Sequence, residues 1–403
     1  MSAWGAEVET SSLWTGLIGQ EHVIAPLTAA ADGVGMTPSW LFTGPAGSGR
    51  SVAARSFAAA LECTAPTRPP SPDSPHGTGN GCGRCAACRT VLAGTHADLI
   101  VMRTEGHSIG VEPVRALVRQ AASATSSGRH RILLIEDADR LTEPAASALL
   151  KVLEEPPAHT VFLLCAPSSD DVTPTVRSRC RLLTLRRPTS SDIAAALERA
   201  GVAPSMASFA ARAAQGHVGR ARRLARDELA RGRRDDVLQL PSRLRSVGEC
   251  LAAAADLVEA ATEEADDLHK ERARTETAEL QSVLSAGRGR TAVQVRGAAG
   301  ALKELEHTQQ TRLKRAQRDA LDRALNDLAA WYRDVLSIQL GAAVEPVHDD
   351  RSAETRRTAA ALTPEQTLRR IEAVLACRSA LEENPSLAAR LAVEALAVTL
   401  RFA

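Results

Sequence analysis

The sequence predicts an α/β phosphate-loop domain with a parallel sheet, followed by a small helical domain and a larger all-α domain. Three observations support this prediction. A glycine-rich loop at residues 44–51 lies between an apolar run and a helical stretch, as in nucleotide-binding domains. Further apolar runs alternate with helical stretches up to about residue 187. Beyond it, Ala, Arg and Leu recur at helical spacing.

Four apolar runs are expected to form the strands. Their hydrophobicity is continuous rather than alternating, which is typical of strands that are covered on both faces. They are residues 40–43, 98–101, 131–135 and 161–164. Helices are expected at 52–63 and from Thr142 to Pro156, because a capping residue begins a helix and proline ends one.

The helical part is expected to divide into a domain at 188–240 and another at 241–403, after a first domain at 1–187. The charged segment 263–327 predicts long helices that are broken by a loop at the glycines between 287 and 297. Helix starts are expected at residues 190–192, Pro204, Thr363 with Pro364, and Asn384 with Pro385. The Pro/Ser/Gly-rich residues 66–81 read as a linker too polar to fold alone.

Bulk composition excludes several functional classes. At 403 residues the chain exceeds one ordinary core, and a net charge of +1 argues against a polybasic protein that coats DNA. The aromatic content of 2% disfavours binding of single strands by base stacking. Without a signal or spanning segment, the expectation is a soluble, cytoplasmic protein.

The glycine loop differs from a hydrolytic phosphate loop at one position. Gly44, Gly47 and Gly49 allow backbone N–H groups to converge on phosphate oxygens, and Ser51 offers a hydroxyl to Mg²⁺. Arg50 stands where ATP hydrolysis uses lysine, and its broad planar guanidinium does not replace a compact ammonium in so tight a loop. We expect a loop that can hold ATP and Mg²⁺ but hydrolyses ATP poorly.

Two carboxylates, Glu136 and Asp137, follow the run 131–135. Nucleotide hydrolases carry an Asp that holds Mg²⁺ and then a Glu that activates water, so the order here is reversed. The reversal displaces both reacting groups by about one methylene, and such a misplacement can lower the rate ~100-fold. The alternative, that the two carboxylates have no catalytic or metal-binding role, remains open.

Three cysteines at 82, 85 and 88 are spaced at three-residue intervals, and Cys63 precedes them across the linker. Four thiolates suit a structural, tetrahedral Zn²⁺ site, and closing a flexible linker costs little. An iron–sulfur cluster and unrelated free thiols are the alternatives, although a ferredoxin-like run would need a further cysteine and a following proline. The other four cysteines are expected in cores.

The chain resembles the bacterial clamp-loader ATPase family of AAA+ proteins. The resemblance is carried by residues 148–157, by Ser178-Arg179-Cys180 and by residues 19–22, in order with the loop and the cysteines. It implies a RecA-like domain, a helical lid and a helical collar. It also implies partners: the gamma/tau and delta subunits, the sliding clamp and primed DNA.

Four departures favour the delta prime branch, which lacks productive hydrolysis, over the gamma/tau branch. They are Arg50, the reversed pair Glu136 and Asp137, residues 166–168 in place of a threonine-rich sensor, and Gly219 where the family has a sensing arginine. Arg220 is one residue further along, and on a helix one residue turns the side chain by about 100°.

Arg179, by contrast, matches the family's arginine finger. The resemblance implies that it enters a neighbour's ATP site and stabilises the charge on the transferred phosphoryl group. Two other functions remain open. One is a hydrolytically active gamma/tau-like ATPase, and the other is a zinc-containing DNA-binding module that uses the basic run from Arg312 to Arg318.

Overall fold

The computed structural model describes residues 13–65, 81–104, 106, 108–123, 125, 129–285, 292–384 and 387–403. The chain divides after Ala225 into two compact units, and each is described by itself. Residues 66–80 of the predicted linker, residues 287–290 of the predicted loop and Pro385 lie outside the described residues.

The N-terminal unit contains one parallel sheet of five strands. The strands are β1 (Ser39–Thr43), β2 (Leu99–Met102), β3 (Arg131–Ile135), β4 (Thr160–Ala166) and β5 (Arg181–Thr184), and their order is β2-β3-β4-β1-β5. Four of them agree with the predicted apolar runs to within two residues, which confirms the α/β class. The prediction missed β5, because this edge strand is largely exposed and has no continuous apolar run.

Helices cover both faces of the sheet. In the N-terminal unit they are α1 (Glu21–Ala31), α2 (Arg50–Leu61), α3 (Ala86–Ala93), α4 (Val111–Ala121), α5 (Glu143–Glu154), α6 (Pro174–Arg177), α7 (Ser190–Arg199), α8 (Pro204–Ala213) and α9 (Val218–Arg226). The start of α7 differs slightly from the prediction, since Thr189 is its N-cap and shares a capping box with Asp192.

Two apolar cores lie on opposite faces of the sheet, because successive side chains of a strand point to opposite sides. Trp40 and Phe42 of β1 belong to one core, together with Phe57 of α2. Leu41 belongs to the other core, together with Leu149 of α5. The strand that leads into the glycine loop is therefore fully buried, and it fixes where the loop begins.

The C-terminal unit contains helices and connecting turns but no strand among its described residues. Its helices are α10 (Glu228–Arg243), α11 (Val247–Ser285), α12 (Ala292–Gln339), α13 (Ser352–Ala361), α14 (Pro364–Glu383) and α15 (Ala389–Phe402). Thr363 caps α14 as predicted, in a capping box with Gln366. The predicted break at Gly297 is wrong, since this glycine lies within α12. One glycine costs a helix only about 1 kcal/mol relative to alanine.

Side chains of α11 and α12 meet along much of their length. Leu257 and Leu321 are buried in a common core, and further along Arg312 pairs with Glu276 at 3.0 Å. The first residue of the predicted basic run is therefore neutralised within the unit. Among the helices in the described part of the chain, none is both long and apolar enough to cross a bilayer.

Candidate functional site

The glycine loop connects β1 to α2, and its glycines have backbone conformations that other residues rarely adopt. Gly44, Gly47 and Gly49 have φ angles of 148°, 79° and 100°, which lie in the region that side chains disfavour. Gly49 is the N-cap of α2. The loop thus brings the predicted phosphate-binding glycines to the amino end of a helix, where the backbone N–H groups are unpaired.

Arg50 turns back onto the loop that it follows. Its Nη1 donates a hydrogen bond to the carbonyl oxygen of Gly44, with a distance of 2.8 Å. A lysine in a hydrolytic loop holds phosphate oxygens, whereas this guanidinium binds the oxygen at the start of its own loop. Ser51, the predicted Mg²⁺ ligand, lies in the first turn of α2 and is half-buried.

The start of α9 packs directly on this loop. A Cβ atom at Gly47 would lie 2.3 Å from the ring of His217, and the Val218 amide donates to the Gly47 carbonyl at 3.4 Å. Gly219 follows in α9, and the Arg220 amide donates to Nδ1 of His217. The predicted second sensor therefore does lie beside the loop, but a histidine makes the closest approach.

Gln20 fixes the loop from another side, a role that its motif did not reveal. It is fully buried. Its Nε2 donates to the Arg186 carbonyl at 2.6 Å, and its Oε1 accepts from the Arg186 amide at 3.1 Å. The same Nε2 lies 3.5 Å from the Ser48 carbonyl. Gln20 thus links the glycine loop to the segment that follows β5.

Glu136, at the carboxyl end of β3, is surrounded by arginine. Its Oε1 accepts hydrogen bonds from Nε and Nη2 of Arg55 at 3.2 and 3.1 Å, and from Nη2 of Arg103 at 3.1 Å. Its side chain is 10% exposed. The sheet explains Arg103, because Met102 is in register with Ile135 and the next residues of both strands are neighbours. The sequence pattern pointed to neither arginine.

The carboxylates beside Glu136 are oriented differently. Asp137 accepts a hydrogen bond from the Thr104 amide at 3.2 Å. Asp139 lies two residues further on, where burial raises the pKa of its carboxyl. The two carboxylates that were predicted to act together at a Mg²⁺ site thus have different partners: Glu136 binds arginine side chains, and Asp137 binds a backbone amide.

The predicted first sensor also contacts the loop through its backbone. At the end of β4, Pro167 accepts a hydrogen bond from the Gly44 amide at 3.1 Å. The Ser168 amide in turn donates to Asp171 at 2.9 Å. The described contacts of this segment are therefore structural, and its cyclic Pro167 side chain offers no hydroxyl to a nucleotide.

Arg179 lies between α6 and β5 and is about one third exposed. Its Nε donates to Oε1 of Glu154 at 2.8 Å, and its Nη1 donates to the Thr175 carbonyl at 2.8 Å and to Oγ of Ser178 at 3.1 Å. Glu154 is the last residue of α5 and half exposed. Arg179, the predicted arginine finger, thus forms an ion pair with a surface carboxylate of its own chain.

The four predicted metal ligands come together beside α2 and α3. The sulfur atoms of Cys63, Cys82, Cys85 and Cys88 all lie within 4.8 Å of one another. Tetrahedral Zn²⁺ with bonds of about 2.3 Å separates its sulfurs by somewhat under 4 Å, so the cluster fits a metal after a small contraction. The other four cysteines do not join it.

Backbone amides donate to several of these sulfurs, as is typical of metal thiolates. The Cys82 amide donates to Cys63 at 3.2 Å, and the Cys85 amide to Cys82 at 3.2 Å. Burial raises the pKa of Cys63 and Cys88. Burial also acts on Cys85, but hydrogen bonds from Thr64 and the Cys88 amide outweigh it and lower its pKa to about 5. At least one thiolate is therefore available at neutral pH.

The parallel sheet, the glycine loop between β1 and α2 and the helices that follow β5 define a P-loop domain of the AAA+ class. Two family models match the chain. The model for DNA polymerase III, delta subunit, matches residues 19–189, and that for the delta subunit, C terminal, matches residues 306–401. The chain belongs to the clamp-loader family of DNA polymerase III subunits.

Individual relatives support the same family without separating its branches. A gamma/tau subunit of Mycobacterium tuberculosis (strain H37Rv) is 34% identical over 164 residues, which are 40% of this chain and 27% of the relative. A delta' subunit of Pseudomonas aeruginosa is 37% identical over 144 residues, which are 35% of this chain and 41% of the relative. The chain thus spans well under half the length of these relatives.

Among solved structures, a gamma subunit-related protein of Thermotoga maritima aligns with 94% of this chain and 98% of its own, at 15% identity and a TM-score of 0.41.

Proposed function

We propose that this chain is a delta prime-type subunit of the DNA polymerase III clamp loader. In this role it assists the ATP-driven loading of the sliding clamp onto primed DNA, together with gamma/tau and delta subunits, and hydrolyses no ATP productively. One observation carries the proposal. Glu136, the residue predicted at the Mg²⁺ position of a hydrolase, is held by Arg55 and Arg103.

Two guanidinium groups around one carboxylate oppose the binding of Mg²⁺ there. Mg²⁺ is held by carboxylates and substrate phosphates in an octahedral shell at 2.0–2.1 Å. To reach Glu136, the ion would have to approach two cations that already occupy its oxygen at hydrogen-bond distance. A third arginine, Arg50, already donates a hydrogen bond to the Gly44 carbonyl of its own chain. Without its metal, the loop lacks the group that neutralises charge during phosphoryl transfer.

The proposal also gives the chain a contribution to a neighbouring ATP site, and this contribution depends on Arg179. It is accessible, and its ion pair with Glu154 lies at the surface, where such pairs contribute about 0–1 kcal/mol. Moving the arginine into a neighbouring subunit's site therefore costs little. In comparable systems an arginine finger accelerates phosphoryl transfer ~10³ to 10⁵-fold. We infer that Arg179 acts on the ATP of an adjacent gamma/tau subunit.

A hydrolytically active gamma/tau-like subunit is the second candidate. It is favoured by the retained geometry of the loop, in which Gly44, Gly47 and Gly49 all have positive φ, and by 34% identity to a gamma/tau chain. ATP turnover by the purified chain distinguishes the two candidates. We expect turnover at the buffer background, with and without primed DNA. Turnover at the rate of a motor subunit, abolished by Ser51→Ala, would refute the proposal.

The finger is tested in a loader reconstituted with gamma/tau and delta subunits. Replacing Arg179 with alanine should lower clamp-dependent ATP turnover ~10³-fold at the adjacent site, while assembly on gel filtration stays unchanged. Arg177→Ala is the matched control, because Arg177 lies two residues away, is similarly exposed and pairs with Asp170. Equal turnover by the two variants would show that Arg179 is not the finger.

We further propose that the four thiols hold a structural Zn²⁺ ion, with all four positions taken by protein. Native mass spectrometry of the purified chain should show one zinc per chain. Cys85→Ser should lose the metal, whereas Cys180→Ser, a matched cysteine outside the cluster, should retain it. Because protons compete with metal for thiolates, zinc release should increase as the pH falls. Full metal retention by Cys85→Ser, or iron with sulfide in place of zinc, would contradict the assignment.

A further inference from the structure

The C-terminal unit contains a cavity of about 470 Å³ that the proposed function does not use. It is lined by residues of α10, α12, α13, α14 and α15 and of the turn after α10. Its volume lies within the range of sites for small organic ligands, roughly 300–1,000 Å³. The lining has one cationic side and one apolar side, and the two sides together indicate the kind of ligand.

The cationic side contains two arginines with incomplete hydrogen bonding. Nε of Arg370 donates to the Leu400 carbonyl at 3.1 Å, but its Nη1 is buried and has no acceptor. Nη1 of Arg401 donates to the Leu244 carbonyl at 3.1 Å, but its Nε is likewise buried without an acceptor. Buried donors are nearly always paired in proteins, so both guanidinium groups retain unused hydrogen-bonding capacity beside the cavity. Because Arg370 binds the residue before Arg401, both arginines meet at the last turn of α15.

Charge in the cavity is unbalanced as well. Arg357 lines it alongside Arg370 and Arg401, and Glu354 is the only acidic residue in the lining. That carboxylate already accepts a hydrogen bond from Nε of Arg351 at 2.8 Å. The three lining arginines are thus left with a net positive charge that an anion would neutralise.

The apolar side is aliphatic at its accessible surface. Trp331 and Tyr332 contribute to the lining, but they are only 1% and 2% exposed. Their ring faces are packed inside the unit, so they offer no platform on which a nucleobase could stack. The accessible apolar lining is formed by Pro241, Ala361 and Leu362.

We propose that this cavity binds a small organic anion in which a carboxylate or phosphate is joined to an aliphatic body. The oxyanion accepts from Arg370 and Arg401, and the aliphatic body covers the accessible apolar surface of Pro241, Ala361 and Leu362. A free inorganic ion would leave this apolar surface uncovered, and an uncharged lipid would leave the positive charge of the arginines without a counter-charge. The site belongs to the C-terminal unit, so it does not depend on Arg179 or on the glycine loop.

The test uses the full chain and isothermal titration calorimetry with four matched probes: octanoate, octyl phosphate, octanol and inorganic phosphate. One or both of the amphiphilic anions should bind at least about tenfold more tightly than octanol and inorganic phosphate, and the affinity should fall with salt. Their relative affinities identify the head group. Arg370→Gln should weaken this binding about tenfold or more. Arg369→Gln is the control, because Arg369 is the exposed neighbour on α14.

A second variant tests the cavity without removing an arginine. Ala361→Trp narrows it from the α13 side, and it should abolish binding while the circular dichroism spectrum stays unchanged. The proposal is overturned if octanol binds as tightly as the anions, or if inorganic phosphate alone binds, an adventitious ion only. It is also overturned if no probe binds, or if adenosine monophosphate binds more tightly than octyl phosphate.

Discussion

Arginine serves opposite purposes at two places in the N-terminal unit. At the carboxyl end of β3, Arg55 and Arg103 bind the nearly buried Glu136. After α6, Arg179 forms an ion pair with Glu154 at the surface, with a third of its side chain exposed. The first cluster is costly to break, whereas the second can break at little cost.

The difference lies in burial rather than in hydrogen-bond geometry. Both carboxylates accept arginine hydrogen bonds near 3 Å, but only Glu136 has lost most of its contact with water. Breaking a buried pair leaves a charge with neither partner nor solvent, while breaking a surface pair restores hydration. The buried arginine–carboxylate cluster therefore stabilises the fold, whereas the surface pair can break with little loss of stability.

The largest expected effect contrasts the two carboxylates directly. Glu136→Gln should lower the free energy of unfolding of the N-terminal unit by about 2–3 kcal/mol, because Arg55 is left buried without a counter-charge. Glu154→Gln, the matched surface change, should lower it by less than about 1 kcal/mol. Hydrogen exchange of the β3 amides in urea measures the unfolding free energy of both variants. Similar losses for the two variants would remove the distinction between them.

A smaller effect concerns Arg179 itself. In a reconstituted loader, Glu154→Gln should raise ATP turnover about two- to threefold, because the proposed finger Arg179 no longer has to leave a charged partner. The measurement is steady-state turnover at saturating clamp and primed DNA. Combining Glu154→Gln with Arg179→Ala should abolish the gain. A gain that persists in the double variant would mean that Glu154 acts by another route.

The smallest effect concerns Asp139, a partly buried carboxylate three residues after Glu136 that lies outside the arginine cluster. Burial raises the pKa of Asp139, so the folded state binds its proton more tightly than the unfolded chain does. Asp139→Asn should therefore stabilise the unit at pH 7, and the gain should vanish at pH 3, where the unfolded carboxyl is also protonated. Unfolding midpoints at the two pH values measure this. Asp170→Asn, an exposed control, should show no such gain.

Local patterns predicted most of the fold. Continuous apolar runs located four strands, and the cap at Thr363 was located by its following proline. The edge strand β5 was missed, since Arg181 and Thr184 interrupt its hydrophobicity. Gly297 was overinterpreted, because a helix as long as α12 tolerates a single glycine.

The candidate site was predicted less completely. The four cysteines were found because a metal site leaves short, regular spacing in the chain. Arg55 and Arg103 were not, since they lie 81 and 33 residues from Glu136; the packing of α2 brings Arg55 to it, and the sheet register brings Arg103. The reversal of Glu136 and Asp137 was visible in the sequence, but its consequence, an arginine-bound carboxylate, was not.

The hydrogen bond from Arg50 to Gly44 has a consequence for how the chain responds to its surroundings. A loop that is ordered by nucleotide gains stability in proportion to the logarithm of ligand concentration. In this chain the Arg50 guanidinium already binds the Gly44 carbonyl, so a phosphate can bind the same N–H group only by displacing this hydrogen bond. A nucleotide that binds the loop therefore stabilises it by less than its new contacts alone would give.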